Sequence, residues 1–168
     1  MKYSSTRGQE RYTNFENVLL NGLATDGGLY VPNKIPKFDK QEILKLNDLE
    51  YYELVFKVTY EFVSSCIPKK DYLKICKNSY EKFSKNELIS LVKLEKKEYI
   101  LNLYHGPTLA FKDYALQLLG NIYDYVLNKK KMRLTILGAT SGDTGSAAIA
   151  GCSKCERFKM FILFPLNK

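Results

Sequence analysis

Apolar residues recur along this chain in two rhythms. In residues 38–87 they fall at helical spacing. Leu54, Val55, Val58, Phe62 and Val63 form one stripe, and Tyr72, Leu73, Ile75, Cys76, Tyr80 and Phe83 form another. The spacing predicts two packed helices, the first capped by Asn47 or Asp48 and the second opened by Pro68 and Asp71. The rhythm changes near residue 89. Leu91–Leu94 and Tyr99–Tyr104 are short strand candidates around the polar stretch Glu95-Lys96-Lys97-Glu98. Asp113–Leu127 carries Leu116, Leu119, Ile122, Tyr123 and Val126 at helical spacing. Arg133–Leu137 reads as a buried-type strand and Lys159–Phe164 as a further apolar run, with a helix at Ser146–Gly151 between them. Strand–helix–strand–helix–strand predicts parallel pairing, so the fold class is α/β: a helical N-terminal part, then the start of a parallel sheet. Residues 1–37 are irregular. Lys2–Thr6 is a short strand candidate, Thr13-Asn14-Phe15-Glu16 a capping box with Thr13 as N-cap, and Gly22 a helix stop. Asp26-Gly27-Gly28 is a tight turn before the strand-like Leu29-Tyr30-Val31, which Pro32 ends.

Composition narrows the classes. The 168 residues are 45% hydrophobic and 13% aromatic, enough to bury a core and too apolar for disorder. The longest apolar runs, such as Met160–Pro165, are far too short to span a bilayer, and Met1-Lys2-Tyr3-Ser4-Ser5 does not lead into a signal-peptide core. A membrane partner is not expected, and the location expected is the cytoplasm. The net charge of +8 is dispersed, with Lys129-Lys130-Lys131 the only lysine triple, which marks a solvated surface rather than a nucleic-acid site. Cys152 and Cys155 form a C-x-x-C without the second pair that a zinc site needs, and the pair falls at the end of an Ala-rich segment. The four cysteines read as free thiols in a reducing compartment. His105 is the single histidine, so no metal site is expected.

Two segments carry chemistry. Gly138-Ala139-Thr140-Ser141-Gly142-Asp143-Thr144-Gly145 joins a strand to a helix. Its glycines let the backbone approach a ligand, and the amides of a helix start suit phosphate or carboxylate. It lacks the lysine of a Walker A loop and the G-x-G-x-x-G of a dinucleotide loop. An anion site and a plain glycine-rich turn both fit this spacing. The second segment is His105-Gly106-Pro107-Thr108-Leu109-Ala110-Phe111-Lys112-Asp113. It places Lys112 at a helix start beside apolar residues, where the dipole and poor solvation both disfavour a cation. An amine nucleophile suits that position. A surface lysine capped by Asp113 is the alternative.

Taken together, a lysine at a helix start followed by an S-G-x-T-G loop one helix and one strand later resembles the threonine synthase family of fold-type II pyridoxal-phosphate enzymes. Tyr3–Gly8, Gly22–Pro32, His105–Asp113 and Ala139–Ala148 carry the resemblance, in order, over essentially the whole chain. The resemblance implies pyridoxal 5'-phosphate as cofactor, held as a Schiff base on Lys112, with Phe111 and Asp143 beside it. It implies Lys112 as the catalytic base. Thr140, Ser141, Gly142, Asp143 and Thr144 would grip the substrate carboxylate, and Ser5, Thr6 and Arg7 its phosphate. The implied reaction converts O-phospho-L-homoserine and water to L-threonine and phosphate, a carbon–oxygen lyase activity acting on a phosphate ester. The implied domains are 1–88, an N-terminal domain, and 89–168, the first part of the cofactor domain. Family members are longer, and their cofactor-phosphate loop and pyridine-nitrogen partner are expected downstream of Lys168. The chain is therefore expected to be an N-terminal fragment with little catalysis of its own. Two other readings stay open: a threonine synthase-like protein acting on another phospho-amino acid, and an inactive anion- or nucleic-acid-binding domain.

Overall fold

The computed structural model describes residues 1–83 and 88–166. The chain divides into two units, Met1–Cys76 and Lys77–Lys168. The expected helical stretch 38–87 includes residues 84–87, which lie outside the described residues.

In the first unit, β1 (Tyr3–Ser5) pairs antiparallel with β2 (Tyr30–Pro32), Tyr3 opposite Pro32. Between them lies α1 (Phe15–Asn21). Its N-cap is Asn14, not Thr13: the Asn17 amide donates to Asn14 Oδ1 at 2.9 Å. Thr13 is instead held in a β-bridge with Tyr3, which removes it from the cap. Gly22 does end the helix, at φ +71. Next come α2 (Lys40–Lys45), a 3₁₀ turn at Leu46–Asp48 and α3 (Tyr51–Val63). The expected caps Asn47 and Asp48 fall in the 3₁₀ turn. Glu50 stands at the N-cap of α3, where its amide donates to Glu53 Oε2 at 3.0 Å. The core gathers Tyr3, Leu19, Val63, Ile67, Tyr72, Ile75 and Cys76, all buried. Tyr3 donates its hydroxyl to the Phe62 carbonyl at 2.6 Å, and burial pushes that phenol up to about 12. Burial likewise pushes the Cys76 thiol up to about 11. Val58 and Leu73, counted with the core stripes, stand 39% and 38% exposed. Each stripe is wider than the face its neighbours cover.

The helix α4 (Lys69–Tyr80) contains the boundary between the units. The second unit holds two separate two-stranded sheets. β3 (Ser90–Lys93) and β4 (Tyr99–Asn102) form an antiparallel hairpin, Ser90 opposite Asn102. Thus Tyr99–Asn102 does not join the parallel sheet among the described residues. Its nearest partner is the strand just before it, and the polar stretch Glu95–Glu98 is short enough to turn the chain back at once. The parallel sheet pairs β5 (Leu134–Ala139) with β6 (Phe158–Leu163), Leu134 opposite Phe158 and Ala139 opposite Leu163. Along β5 exposure alternates strictly, and Leu137 is 67% exposed, so the strand is covered on one face rather than both. Between these strands run α5 (Asp113–Lys130) and α6 (Asp143–Cys152). α5 carries the buried Ile122, Val126 and Leu127 and ends at Lys131, which adopts φ +55.

α5 and α6 approach at backbone distance. A Cβ on Gly120 would lie 2.3 Å from the Gly151 carbonyl oxygen, and one on Gly151 would lie 2.5 Å from that of Leu116. No side chain other than hydrogen fits either position, so this glycine pair sets how the two helices cross. No helix among the described residues is long and apolar enough to cross a membrane.

Candidate active site

Lys112 is the residue immediately ahead of α5, at its N-cap, with helical backbone angles. It is half-buried, and its Nζ lies 4.6 Å from the centroid of the Phe111 ring. Its orientation depends on the turn before it, and that turn is pinned by Asp113. The Asp113 carboxylate is fully buried. It accepts from the Thr108 amide at 2.8 Å and from the Thr108 hydroxyl at 2.9 Å. Gly106 lies against the same carboxylate, where a Cβ would come within 2.5 Å of Oδ2. Leu109 adopts φ +61, a strained angle for a leucine, and donates its amide to the Gly106 carbonyl at 3.1 Å. Asp113 therefore ties the loop ends together instead of capping Lys112. Upstream, His105 Nε2 and Ser90 Oγ share a hydrogen bond of 3.1 Å, and the His105 ring lies 4.7 Å from that of Tyr104.

The glycine-rich segment leaves β5 at Ala139. Helix α6 begins at Asp143, three residues earlier than the expected Ser146, because Gly142 at φ +156 turns the chain into the helix. The Thr140 hydroxyl supplies the cap. It accepts from the amides of Gly142 and Gly145, both at 3.1 Å. A helix leaves its first amides without partners inside the helix. Thr140 takes that of Gly145, so those of Asp143 and Thr144 stand at the open end. Ser141, Asp143 and Thr144 are exposed there. A carboxylate or phosphate has the right charge for such an end.

Lys112 precedes Leu116 by one helical turn, so both lie on one face of α5. Leu116 shares an apolar hollow of about 200 Å³ with Leu119, Thr140 and Thr144 and with Gly138 and Ile162 of the sheet. Thr140 and Thr144 thus stand on the wall of a hollow that begins one turn below Lys112.

Ser5, Thr6 and Arg7 belong to the first unit, in a turn held by Asp26. Ser5 is buried and donates its hydroxyl to Asp26 Oδ1 at 2.6 Å. Thr6 Oγ1 accepts from the Leu29 amide at 3.0 Å, and Arg7 Nη1 donates to the Asp26 carbonyl at 2.9 Å. The hydrogen bond from Ser5 holds the Asp26 carboxyl below the usual range. Arg7 is exposed. No disulfide joins the four cysteines, and a hydrogen bond between Cys152 and Cys155 holds the first thiol low and pushes the second up.

Sequence reasoning missed the contact of Asp113 with Thr108 and Gly106, and the pair Gly120 and Gly151. Thr108 and Asp113 are five residues apart directly after Pro107, which was the available hint. The glycine pair left none, because the two residues meet only after α5 and α6 pack.

The model of the family described as "Threonine synthase N terminus" matches residues 2–80. A threonine synthase of Pseudomonas aeruginosa is 51% identical over 168 residues, covering 100% of this chain and 36% of the relative. The chain is similar over its whole length to threonine synthases. A crystal structure of a pyridoxal-phosphate-bound threonine synthase from Brucella melitensis superposes with a TM-score of 0.94 at 44% identity, over 99% of this chain and 36% of that one. The yeast threonine synthase structure gives 0.89 at 38% identity, over 99% and 36%. The chain thus spans about a third of the length of the family members it matches.

Proposed function

We propose that this chain supplies the lysine and the anion-binding loop of a threonine synthase, an enzyme that uses pyridoxal phosphate to convert O-phospho-L-homoserine and water to L-threonine and phosphate. The observation that carries this reading is Lys112, half-buried over Phe111 and oriented by the buried Asp113–Thr108 pair at the head of α5. The likeness to the cofactor-bound Brucella melitensis structure supports it. The residues present suit the cofactor: a primary amine for its aldehyde, an aromatic ring beside that amine, and an exposed carboxylate at Asp143.

When bound, pyridoxal phosphate supplies an electron sink for negative charge developing at the substrate Cα. The rest falls to side chains of this chain. Lys112 takes the proton from Cα and returns protons to the carbon skeleton. The amides of Asp143 and Thr144 and the hydroxyls of Ser141 and Thr144 bind the substrate carboxylate, with Thr140 and Gly142 holding the loop in shape. Asp143 is assigned to the cofactor's ring oxygen. For the substrate phosphate the first unit offers Arg7, whose planar fork suits a phosphate, framed by Ser5 and Thr6. The domain division 1–88 and 89–168 and a cytoplasmic location belong to the same proposal.

Borohydride reduction in the presence of pyridoxal phosphate, followed by peptide mass spectrometry, tests it without requiring turnover. A reduced covalent adduct on Lys112 that vanishes in Lys112→Ala is expected. Modification spread over surface lysines, with Lys112 spared, would overturn the assignment.

A further inference from the structure

The stretch Cys152-Ser153-Lys154-Cys155 has no part in the Lys112 chemistry, yet the second unit builds it into a defined turn. Cys152 is the last residue of α6. The Cys155 amide donates to the Cys152 carbonyl at 3.0 Å, which closes a four-residue turn. Such a turn keeps its first and last Cα atoms within about 7 Å, and a disulfide spans Cα atoms about 4.4–6.8 Å apart. The turn is pinned at Ser153, whose hydroxyl donates to the Ala150 carbonyl at 2.9 Å and accepts from Lys82 Nζ at 3.2 Å. The Cys155 thiol donates to the Gly120 carbonyl of α5 at 3.5 Å. Both residues of the pair are half-buried, whereas Cys66 and Cys76 are buried. No third His, Cys, Asp or Glu among the described residues completes a metal site with the pair.

We propose that Cys152 and Cys155 form a redox-active dithiol, oxidised by exchange with a small soluble disulfide, with Cys152 attacking and Cys155 resolving. The thiolate is the nucleophile in such an exchange. A hydrogen bond from Cys155 holds the Cys152 thiol below its ordinary range in spite of burial, so Cys152 is the sulfur that ionises first. Cys155 is pushed up, first by that same bond, then by burial and by the charges of Asp124 and Cys152. The Cys152 thiolate attacks one sulfur of the soluble disulfide. A bond to Cys152 Sγ forms, the soluble S–S bond breaks, and one soluble thiolate leaves. With Cys152 capped, its charge and its hydrogen bond no longer hold the Cys155 thiol up. Cys155 gives its proton to the departing thiolate, and its sulfur attacks Cys152 Sγ. The second soluble thiolate leaves and takes from water the proton that Cys152 released. Two thiols of the chain are oxidised, and one soluble disulfide is reduced to two thiols. Oxidation also takes from the Gly120 carbonyl its S–H donor, at the place where α5 and α6 meet.

Redox titration of the 168-residue chain in buffers of stepped glutathione disulfide to glutathione ratio tests the proposal, read by acid quench, alkylation with N-ethylmaleimide in denaturant and peptide mass spectrometry. A Cys152–Cys155 disulfide that saturates and is reversed by dithiothreitol is expected, with Cys66 and Cys76 still alkylated. Cys155→Ser should instead accumulate a glutathione adduct on Cys152. In Cys152→Ser, Cys155 should be modified at least tenfold more slowly than the unaltered chain forms its disulfide. Circular dichroism checks the fold of each variant; should one fail to fold, the other decides, since each is compared with the unaltered chain alone. A pair that stays reduced at the most oxidising ratio, or a disulfide through Cys66 or Cys76, would overturn the proposal. So would a folded Cys155→Ser without an adduct on Cys152, or a folded Cys152→Ser that reacts at Cys155 at the unaltered rate.

Discussion

Asp113 and Asp143 hold the same place in two neighbouring helices. Each is the first residue of its helix, α5 or α6, and each follows a loop that contains a glycine and a threonine. Their fates are opposite. Asp113 is fully buried with Thr108 on both oxygens, whereas Asp143 stands exposed at an open helix end. The difference lies in where the preceding threonine sits. Thr108 lies five residues ahead of Asp113 and gives both its amide and its hydroxyl to the aspartate. Thr140 is directly after a strand and its hydroxyl reaches the helix amides itself, at Gly142 and Gly145. With α6 capped by the threonine, the Asp143 carboxylate stays exposed in the first turn of the helix. One aspartate builds the turn that precedes Lys112, and the other stands exposed at the open end of α6.

The comparison breaks most sharply at Asp113. Asp113→Ala removes two hydrogen bonds to a charged group, each worth about 1.5–3 kcal/mol, so urea unfolding should show a loss of about 3 kcal/mol. Reduced trapping of pyridoxal phosphate on Lys112 should accompany it, since the turn that orients the lysine is released. Next comes Gly106→Ala, whose methyl would overlap the Asp113 side chain; overpacking of this kind costs about 1–3 kcal/mol, measured by the same unfolding curve. A smaller loss is expected for Thr140→Val, which uncaps α6 at a cost of about 1 kcal/mol, read as a lower thermal midpoint. The smallest is Asp143→Ala, whose unfolding free energy should change by less than about 0.5 kcal/mol. Its effect should instead appear in cofactor affinity, measured by the absorbance of titrated pyridoxal phosphate. If Asp143→Ala destabilised the chain as much as Asp113→Ala, the contrast between the two aspartates would be lost.

Much of the candidate site's local structure could be read before any coordinates. Lys112 at a helix start and Thr140–Gly145 between a strand and a helix are local patterns, set by residue types within ten positions of one another. The structure adds the contacts that local patterns do not encode. The hairpin of β3 and β4 was legible as two strands, but its antiparallel pairing depends on which neighbour closes first. The onset of α6 was placed three residues late because the cap is the distant-looking Thr140 acting on Gly142 and Gly145, not a residue at the boundary. Thr13 lost its capping role to Asn14 because β1 claimed it across ten residues of chain.

The sequence by itself determined the α/β class, most helix and strand positions, and which lysine and which glycine-rich loop could do chemistry. Those follow from periodicity, from glycine's reach and from the open amides of a helix start. Only the tertiary structure decided which aspartate is buried, that Gly120 and Gly151 bring α5 and α6 into backbone contact, and that the Cys155 thiol meets the Gly120 carbonyl. Burial and hydrogen-bond satisfaction are properties of groups brought together from distant positions, and no window along the chain contains both partners.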